Sequence, residues 1–151
     1  MSRGTVEHNT ATGAVFATLR QHLKGSPCRA FVADMKVDVQ ASNAFFYPDV
    51  VVTCASNDLT DPKALTVAEP RLIVEVLSPS TAAYDRGAKF GHYRQLISLQ
   101  EYVLIDTDSL TVEVFRRNEA GRWELYPSAG LEAAVELASV GWLGTVADCL
   151  S

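Results

Sequence analysis

Apolar residues recur along the chain with changing period, and each period predicts an element. Between residues 6 and 23, Ala11, Val15, Leu19 and Leu23 fall at steps of four with Phe16 alongside, the spacing of a helix with one buried face. Gly25-Ser26-Pro27 ends it. From 28 to 39 the period drops to two, as Phe31, Ala33, Met35, Val37 and Val39 alternate with polar neighbours, which predicts a half-exposed strand. The stretch FFYPDVVVTC, residues 45–54, is apolar on both faces, as in a sheet covered on both sides. After the turn-rich loop SNDLTDPK comes RLIVEVL, residues 71–77, the next strand.

Ser80 or Thr81 can cap a helix running to about Ile97, with Tyr84, Phe90, Tyr93 and Ile97 available for packing. Gly87 and Gly91 lie four apart on one face of that helix. Each costs about 1 kcal/mol relative to alanine, and close approach of the backbone to the sheet is the expected reason. EYVLID (101–106) and LTVEVFRR (110–117) predict a hairpin around Thr107-Asp108-Ser109, and RWELYP another strand. Residues 131–151 read as a short strand pair and one helical turn. The order is helix, three strands, helix, strand and further antiparallel strands, which makes an α/β (α+β) layer with a mixed sheet. No repeat, low-complexity tract or linker divides the chain, so 1–151 is expected to form a single domain.

Composition narrows the classes. With 48% hydrophobic and 21% charged residues the chain is globular rather than disordered. No apolar run is long enough to span a bilayer and MSRGTVEHNT lacks a signal-peptide core, so no membrane partner is expected and the expected location is cytoplasmic. Cys28, Cys54 and Cys149 are odd in number, far apart and without a CxxC pair. That argues against a disulfide framework or thiolate zinc site, and each is expected to be a small buried hydrophobe. A net charge of −5 counts against tight DNA binding by charge alone, leaving a local patch or a metal-bridged phosphate contact.

Two carboxylates stand out from this background. In RLIVEVL, alternation puts Arg71, Ile73, Glu75 and Leu77 on one face, so Glu75 lies in an otherwise apolar strand. There it needs a cation, matched hydrogen bonds or a raised pKa. Asp49 opens the other very apolar strand, and Pro48, having no N–H, interrupts ladder pairing just before it. Two carboxylates on neighbouring strands suit Mg²⁺ or Mn²⁺, hard cations that keep waters and polarise phosphoryl oxygens. Leu77 stands two residues after Glu75, so the nearest candidate cation is Lys89 on the following helix, four residues after Asp85.

Plainer readings stand beside these. Glu75 with Lys89 or an arginine makes a structural buried ion pair, Asp85 with Lys89 an ordinary helical salt bridge, and Glu7 a favourable charge at a helix start. A further metal ligand is the minority reading of Glu7. His8, His22 and His92 are scattered, without paired spacing, and no P-loop, GxSxG elbow or dinucleotide fingerprint occurs, so no organic cofactor is expected. Arg116, Arg117 and Arg122 cluster at a hairpin as a solvated turn or, with Arg86, a weak phosphate-facing set.

YPDVVVTC, EPRLIVEVLSPSTAAYDRGAKFGHYRQL, EYVLID and VEVFRR together closely resemble the Uma-two family, a bacterial group of restriction-endonuclease-like proteins. The resemblance runs from about Glu7 to the end and is most specific in VEVLSPSTxxYDRxxKxxxYR. It implies a restriction-endonuclease-like core similar to the PD-(D/E)XK nucleases: helix, three-stranded meander, helix, strand. By position, Asp49 matches the aspartate of the PD half-motif and Glu75 the acidic residue of the other half. Leu77 takes the usual lysine position, and the family compensates with a lysine on the next helix, here Lys89. Glu7 falls where related nucleases sometimes supply a helical acidic residue, and Tyr84, Asp85 and Tyr93 are cleft-lining candidates, with core packing the plainer role for the tyrosines. The implied activity is Mg²⁺- or Mn²⁺-dependent endonucleolytic hydrolysis of DNA by a homodimer. The rival is a non-catalytic nucleic-acid or protein interaction module on the same fold, which the acidic charge and the displaced lysine favour.

Overall fold

The computed structural model describes residues 5–151. Helix α1 (Val6–Leu23) opens the described chain, its first turn capped by the Thr5 hydroxyl, which accepts from the His8 N–H at 3.1 Å. Strands β1 (Arg29–Val32), β2 (Lys36–Val39), β3 (Ala44–Phe46) and β4 (Val50–Thr53) follow. A short helix α2 (Ser56–Leu59) and strand β5 (Thr66–Val67) lead into β6 (Pro70–Val76). Helices α3 (Ala82–Arg86) and α4 (Ala88–Tyr93) cross to β7 (Glu101–Asp106), and β8 (Thr111–Arg117) and β9 (Trp123–Ala129) continue the sheet. The chain closes with β10 (Ala134–Leu137), β11 (Trp142–Thr145) and α5 (Val146–Leu150).

The main sheet has the order β1-β4-β6-β7-β8-β9, parallel only between β6 and β7 and antiparallel elsewhere. It is the expected mixed sheet, and its central strands β4, β6 and β7 are covered on both sides. On one face Ala11, Val15, Leu19 and Leu23 of α1 pack on Val50, Val52, Leu72, Val74, Val103 and Ile105. On the other, Phe90 and Tyr93 of α4 pack on Val51, Ile73, Leu77, Tyr102 and Leu104. Burying one such aliphatic side chain contributes roughly 1.5–3 kcal/mol, so alternation on β4 and β6 fixes which residues face which helix.

Several expectations are corrected. The single strand over 28–39 is two strands, because Ala33 and Asp34 adopt φ of +44° and +53° and turn the chain. The second half leaves the main sheet for a three-stranded one of order β3-β2-β5. The period-two pattern persists across the break, since both halves are strands, and so hides it. The long helix to Ile97 is likewise two short ones, broken at Gly87, whose N–H bonds the carbonyls of Ala83 and Tyr84. A methyl group on Gly87 would sit 3.2 Å from the Ala83 carbonyl oxygen, and one on Gly91 would make an ordinary 3.7 Å contact to Arg94. Neither glycine is there to admit the sheet. Ile97 is exposed rather than packed.

Cys28 and Cys54 form a disulfide, against the expectation of three buried thiols. They flank the Arg29–Thr53 pair that ends the β1–β4 ladder, so strand register brings them opposite each other. Cys149 alone is free and buried, and burial pushes its thiol up to about 12. Among the described residues no helix is long and apolar enough to cross a membrane.

Candidate active site

The ladder between β4 and β6 pairs Val50 with Val74, which brings Asp49 and Glu75 to the next position across it. Both side chains share the face of Val51, Ile73 and Leu77, under α4. Pro48 has no N–H to extend the ladder, and side chains take over the pairing there. The Val76 N–H donates to Asp49 Oδ2 at 2.7 Å, and the Asp49 N–H reaches Glu75 Oε1 at a long 3.4 Å. Lys89 enters from α4, with Nζ 2.8 Å from Glu75 Oε2 and 3.2 Å from Asp85 Oδ1. The Tyr93 hydroxyl donates to Glu75 Oε2 at 3.3 Å.

The Uma2 family, described as "Putative restriction endonuclease", matches residues 1–147. The chain belongs to the Uma2 family. Among relatives in Synechocystis sp. (strain PCC 6803), the uncharacterized protein slr1290 is 34% identical over 141 residues, spanning 93% of this chain and 73% of that one. The uncharacterized protein sll1609 of the same organism is 36% identical over 132 residues, 87% of this chain and 75% of its own. The crystal structure of a "putative nuclease belonging to DUF820" from Anabaena variabilis superposes with a TM-score of 0.80 at 20% identity, covering 99% of this chain and 82% of that one. That likeness establishes a shared fold.

In this Uma2 protein burial dominates the electrostatics of the site. It pushes the Glu75 carboxyl up to about 7, against the pull of the Lys89 ammonium. Burial also raises Asp49, while the Val76 N–H and nearby His8 and Lys89 work the other way. Lys89 is disfavoured as a cation by burial, but Glu75 and Asp85 outweigh that and raise its pKa. Burial and the Glu75 charge together hold the Tyr93 phenol well above its ordinary range, so it acts here as a donor. Asp85 is buried, and its Oδ1 lies 3.2 Å from the Lys89 ammonium. It shares that partner with Glu75.

The remaining sequence candidates scatter. Glu7 is exposed and its Oε2 accepts from the Thr107 hydroxyl at 3.4 Å, away from the Asp49 pairing. Its neighbour His8 occupies that place instead, with Nε2 3.4 Å from Asp49 Oδ2. Sequence reasoning set His8 aside because no local spacing ties it to Asp49; only the helix cap and the packing of α1 do. Tyr84 is half exposed, with the Lys89 Nζ 6.0 Å from its ring centre. Tyr93 is fully buried, packing and bonding Glu75 at once.

Three of the four arginines are engaged within the protein. Arg86 pairs with Glu113. Arg116 donates to Glu101 Oε2 and the Glu136 carbonyl, each at 2.8 Å. Arg117 donates to the carbonyls of Leu99, Leu96 and Arg94 and stacks on Trp123. Only Arg122 of the cluster is an exposed side chain without such partners among the described residues.

The donor set suits a hard divalent cation. Asp49 Oδ1 takes no hydrogen bond among the described residues, and Glu75 Oε1 has only the long contact to the Asp49 N–H. Mg²⁺ is typically held by one or two carboxylates, with waters and phosphate oxygens completing its shell. That reliance matters here, because among the described residues no three His, Cys, Asp or Glu groups surround one point.

Proposed function

We propose that this protein is a metal-dependent nuclease hydrolysing DNA phosphodiester bonds, with Asp49 and Glu75 holding Mg²⁺ or Mn²⁺. The observation that carries the reading is the pairing of Asp49 with Glu75 on one sheet face with the Lys89 ammonium 2.8 Å from Glu75. When bound, the cation supplies Lewis acidity to a phosphoryl oxygen and acidifies a coordinated water. Lys89 offers a fixed positive charge beside the carboxylates, where negative charge grows on the reacting phosphate. Asp85 restrains Lys89 from the preceding helix, and Tyr93 restrains Glu75. Leu77, at the usual lysine position, is buried in the apolar core beside Phe90 and Tyr93, so the cation comes from α4 instead.

The test couples binding to chemistry. Calorimetric Mn²⁺ titration and Mn²⁺-dependent plasmid nicking should both vanish in Asp49→Asn and Glu75→Gln. Lys89→Met should keep measurable Mn²⁺ binding and nick at least about 100-fold more slowly, the order seen when one transition-state donor is removed. Unchanged Mn²⁺ affinity in both carboxylate variants would overturn the proposal. The rival reading, a non-catalytic module, rests on Leu77 at the lysine position; it is the outcome if DNA binds and neither the metal nor Lys89 affects it.

A further inference from the structure

The Lys89 ammonium has two aromatic rings near it, and they differ in where they go. Phe46 of β3 lies 5.8 Å from Nζ and packs into the core with Tyr93 and Phe90. Tyr84 of α3 lies 6.0 Å from Nζ and stays 47% exposed. Tyr84 is therefore the ring on the solvent side of the ammonium. Its neighbours hold α3 in place. Asp85 turns inward to Lys89, the Asp85 carbonyl accepts from the Tyr102 hydroxyl at 2.8 Å, and Arg86 pairs with Glu113 on β8. Of residues 84–86, Tyr84 alone has no such anchor.

Single apolar side chains are common on protein surfaces, so exposure by itself carries nothing. Position decides. Among the described residues four aromatic side chains are exposed: Phe45, Tyr47, Tyr84 and Tyr126. Tyr126 has the Arg116 guanidinium over its ring and its hydroxyl on Glu124. Phe45 and Tyr47 meet edge to face, and alternation along β3 turns Phe45 away from the core that Phe46 enters. Only Tyr84 combines an exposed ring with contact to a group of the proposed reaction.

A fixed ring beside a cation that faces phosphate matches an unpaired nucleotide, because any base can lay its π-face on an aromatic side chain. A base paired inside a duplex has both faces covered by its neighbours. The 6.0 Å from Nζ to the ring centre is under two steps of a DNA strand, at about 3.4 Å per nucleotide along the axis. Stacking also adds affinity without added positive charge, which suits a chain with 18 acidic and 13 basic residues. We propose that the DNA substrate is unpaired at the cut and that Tyr84 stacks the base next to the scissile phosphate. The assignment rests on the nuclease reading for the phosphate beside Lys89 and on the exposed ring for the base. Supercoiled plasmid remains a substrate, since negative supercoiling favours local strand opening.

The test measures binding, by fluorescence anisotropy with Ca²⁺ replacing Mn²⁺, of a labelled 20-nucleotide single strand, its duplex, and a strand of equal length lacking bases. Wild type should prefer the single strand to the other two. Tyr84→Ala should bind the single strand about tenfold more weakly, the order of one lost stack. It should keep wild-type affinity for the duplex and the base-free strand, the same dependence on salt, and the same Mn²⁺ affinity. Tyr84→Phe and Tyr84→Trp should restore single-strand binding, because they keep a ring. Equal single-strand affinity in wild type and Tyr84→Ala would overturn the assignment and leave the nuclease reading standing. A loss of the same size on the base-free strand overturns it too, since the ring would then act on the backbone or through Lys89. So does a loss that Tyr84→Phe fails to restore, which would assign the hydroxyl instead. Wild type that binds no single strand also overturns it. Ring-dependent single-strand binding, together with Mn²⁺ affinity unchanged in Asp49→Asn and Glu75→Gln, would sink the nuclease reading and keep the stacking site.

Discussion

At the scale of single residues, Glu75 shows how burial and pairing oppose each other. Its folded pKa, about 7, lies above the ordinary 4.5, so between these values the native protein holds a proton that the unfolded chain releases. Stability therefore falls as pH rises through that window. Lys89 shifts up from 10.5 and stays charged throughout, so its own contribution is lost only in strong alkali. Asp49 is raised from 3.8, so the effect is cleanest as a difference between wild type and Glu75→Gln. With a chelator present, urea unfolding at pH 4.5 and pH 8 should show wild type losing on the order of 2–3 kcal/mol relative to the variant. A flat difference would mean that Glu75 stays ionised across the range. Asp49, Glu75 and Lys89 were legible because a charge in an apolar strand, or four residues from another charge on a helix, violates its surroundings. Glu101 was not: it reads as the polar first residue of a strand. Yet it is fully buried, accepting from Arg116, from the Ala138 and Ser139 N–H groups and from the Ser139 hydroxyl. Those donors come from distant parts of the chain, and nothing local announces them.

Elements were legible in proportion to how far local periodicity decides them. Helix α1 falls within the expected span, and β6, β7 and β8 follow the apolar pattern closely, since each buries a continuous face. Expectation failed where a turn sits inside an unbroken pattern, at Ala33-Asp34 and at Gly87. It failed again at Cys28 and Cys54, whose pairing depends on β1–β4 register rather than on spacing. The disulfide joins residues 26 apart, and a loop of that size restrains the unfolded chain by about 3 kcal/mol. Equilibrium unfolding should show Cys28→Ser less stable by about that amount, with dithiothreitol bringing wild type down to the variant and leaving the variant unmoved. Three reactive thiols in the unreduced, unfolded wild-type chain would show that the bond does not form.

At the scale of the whole molecule, the two edges of the main sheet are unlike. Strand β1 is four residues long and lies beside α1, whereas β9 is seven residues long, half exposed, and carries Leu125 and Tyr126 outward. Pro127 interrupts the donors of β9, which discourages a continuous ladder with a second copy. A homodimer at this edge would therefore join through side chains, with Leu125 the most exposed aliphatic on the strand. The proposed nuclease function would give a dimer a reason, because each chain carries one Asp49–Glu75 pair and one such pair would cut one strand. Supercoiled plasmid should accordingly pass through open circles before linear product, with linear product rising more steeply than first order in protein. Leu125→Asp should keep the rate of nicking, shift light-scattering mass to the monomer and suppress linear product at matched nicking. Linear product that persists at monomer mass would show that one chain cuts both strands in succession. In that case the exposed β9 edge has no part in cleavage, and its proline serves only to keep neighbouring sheets apart.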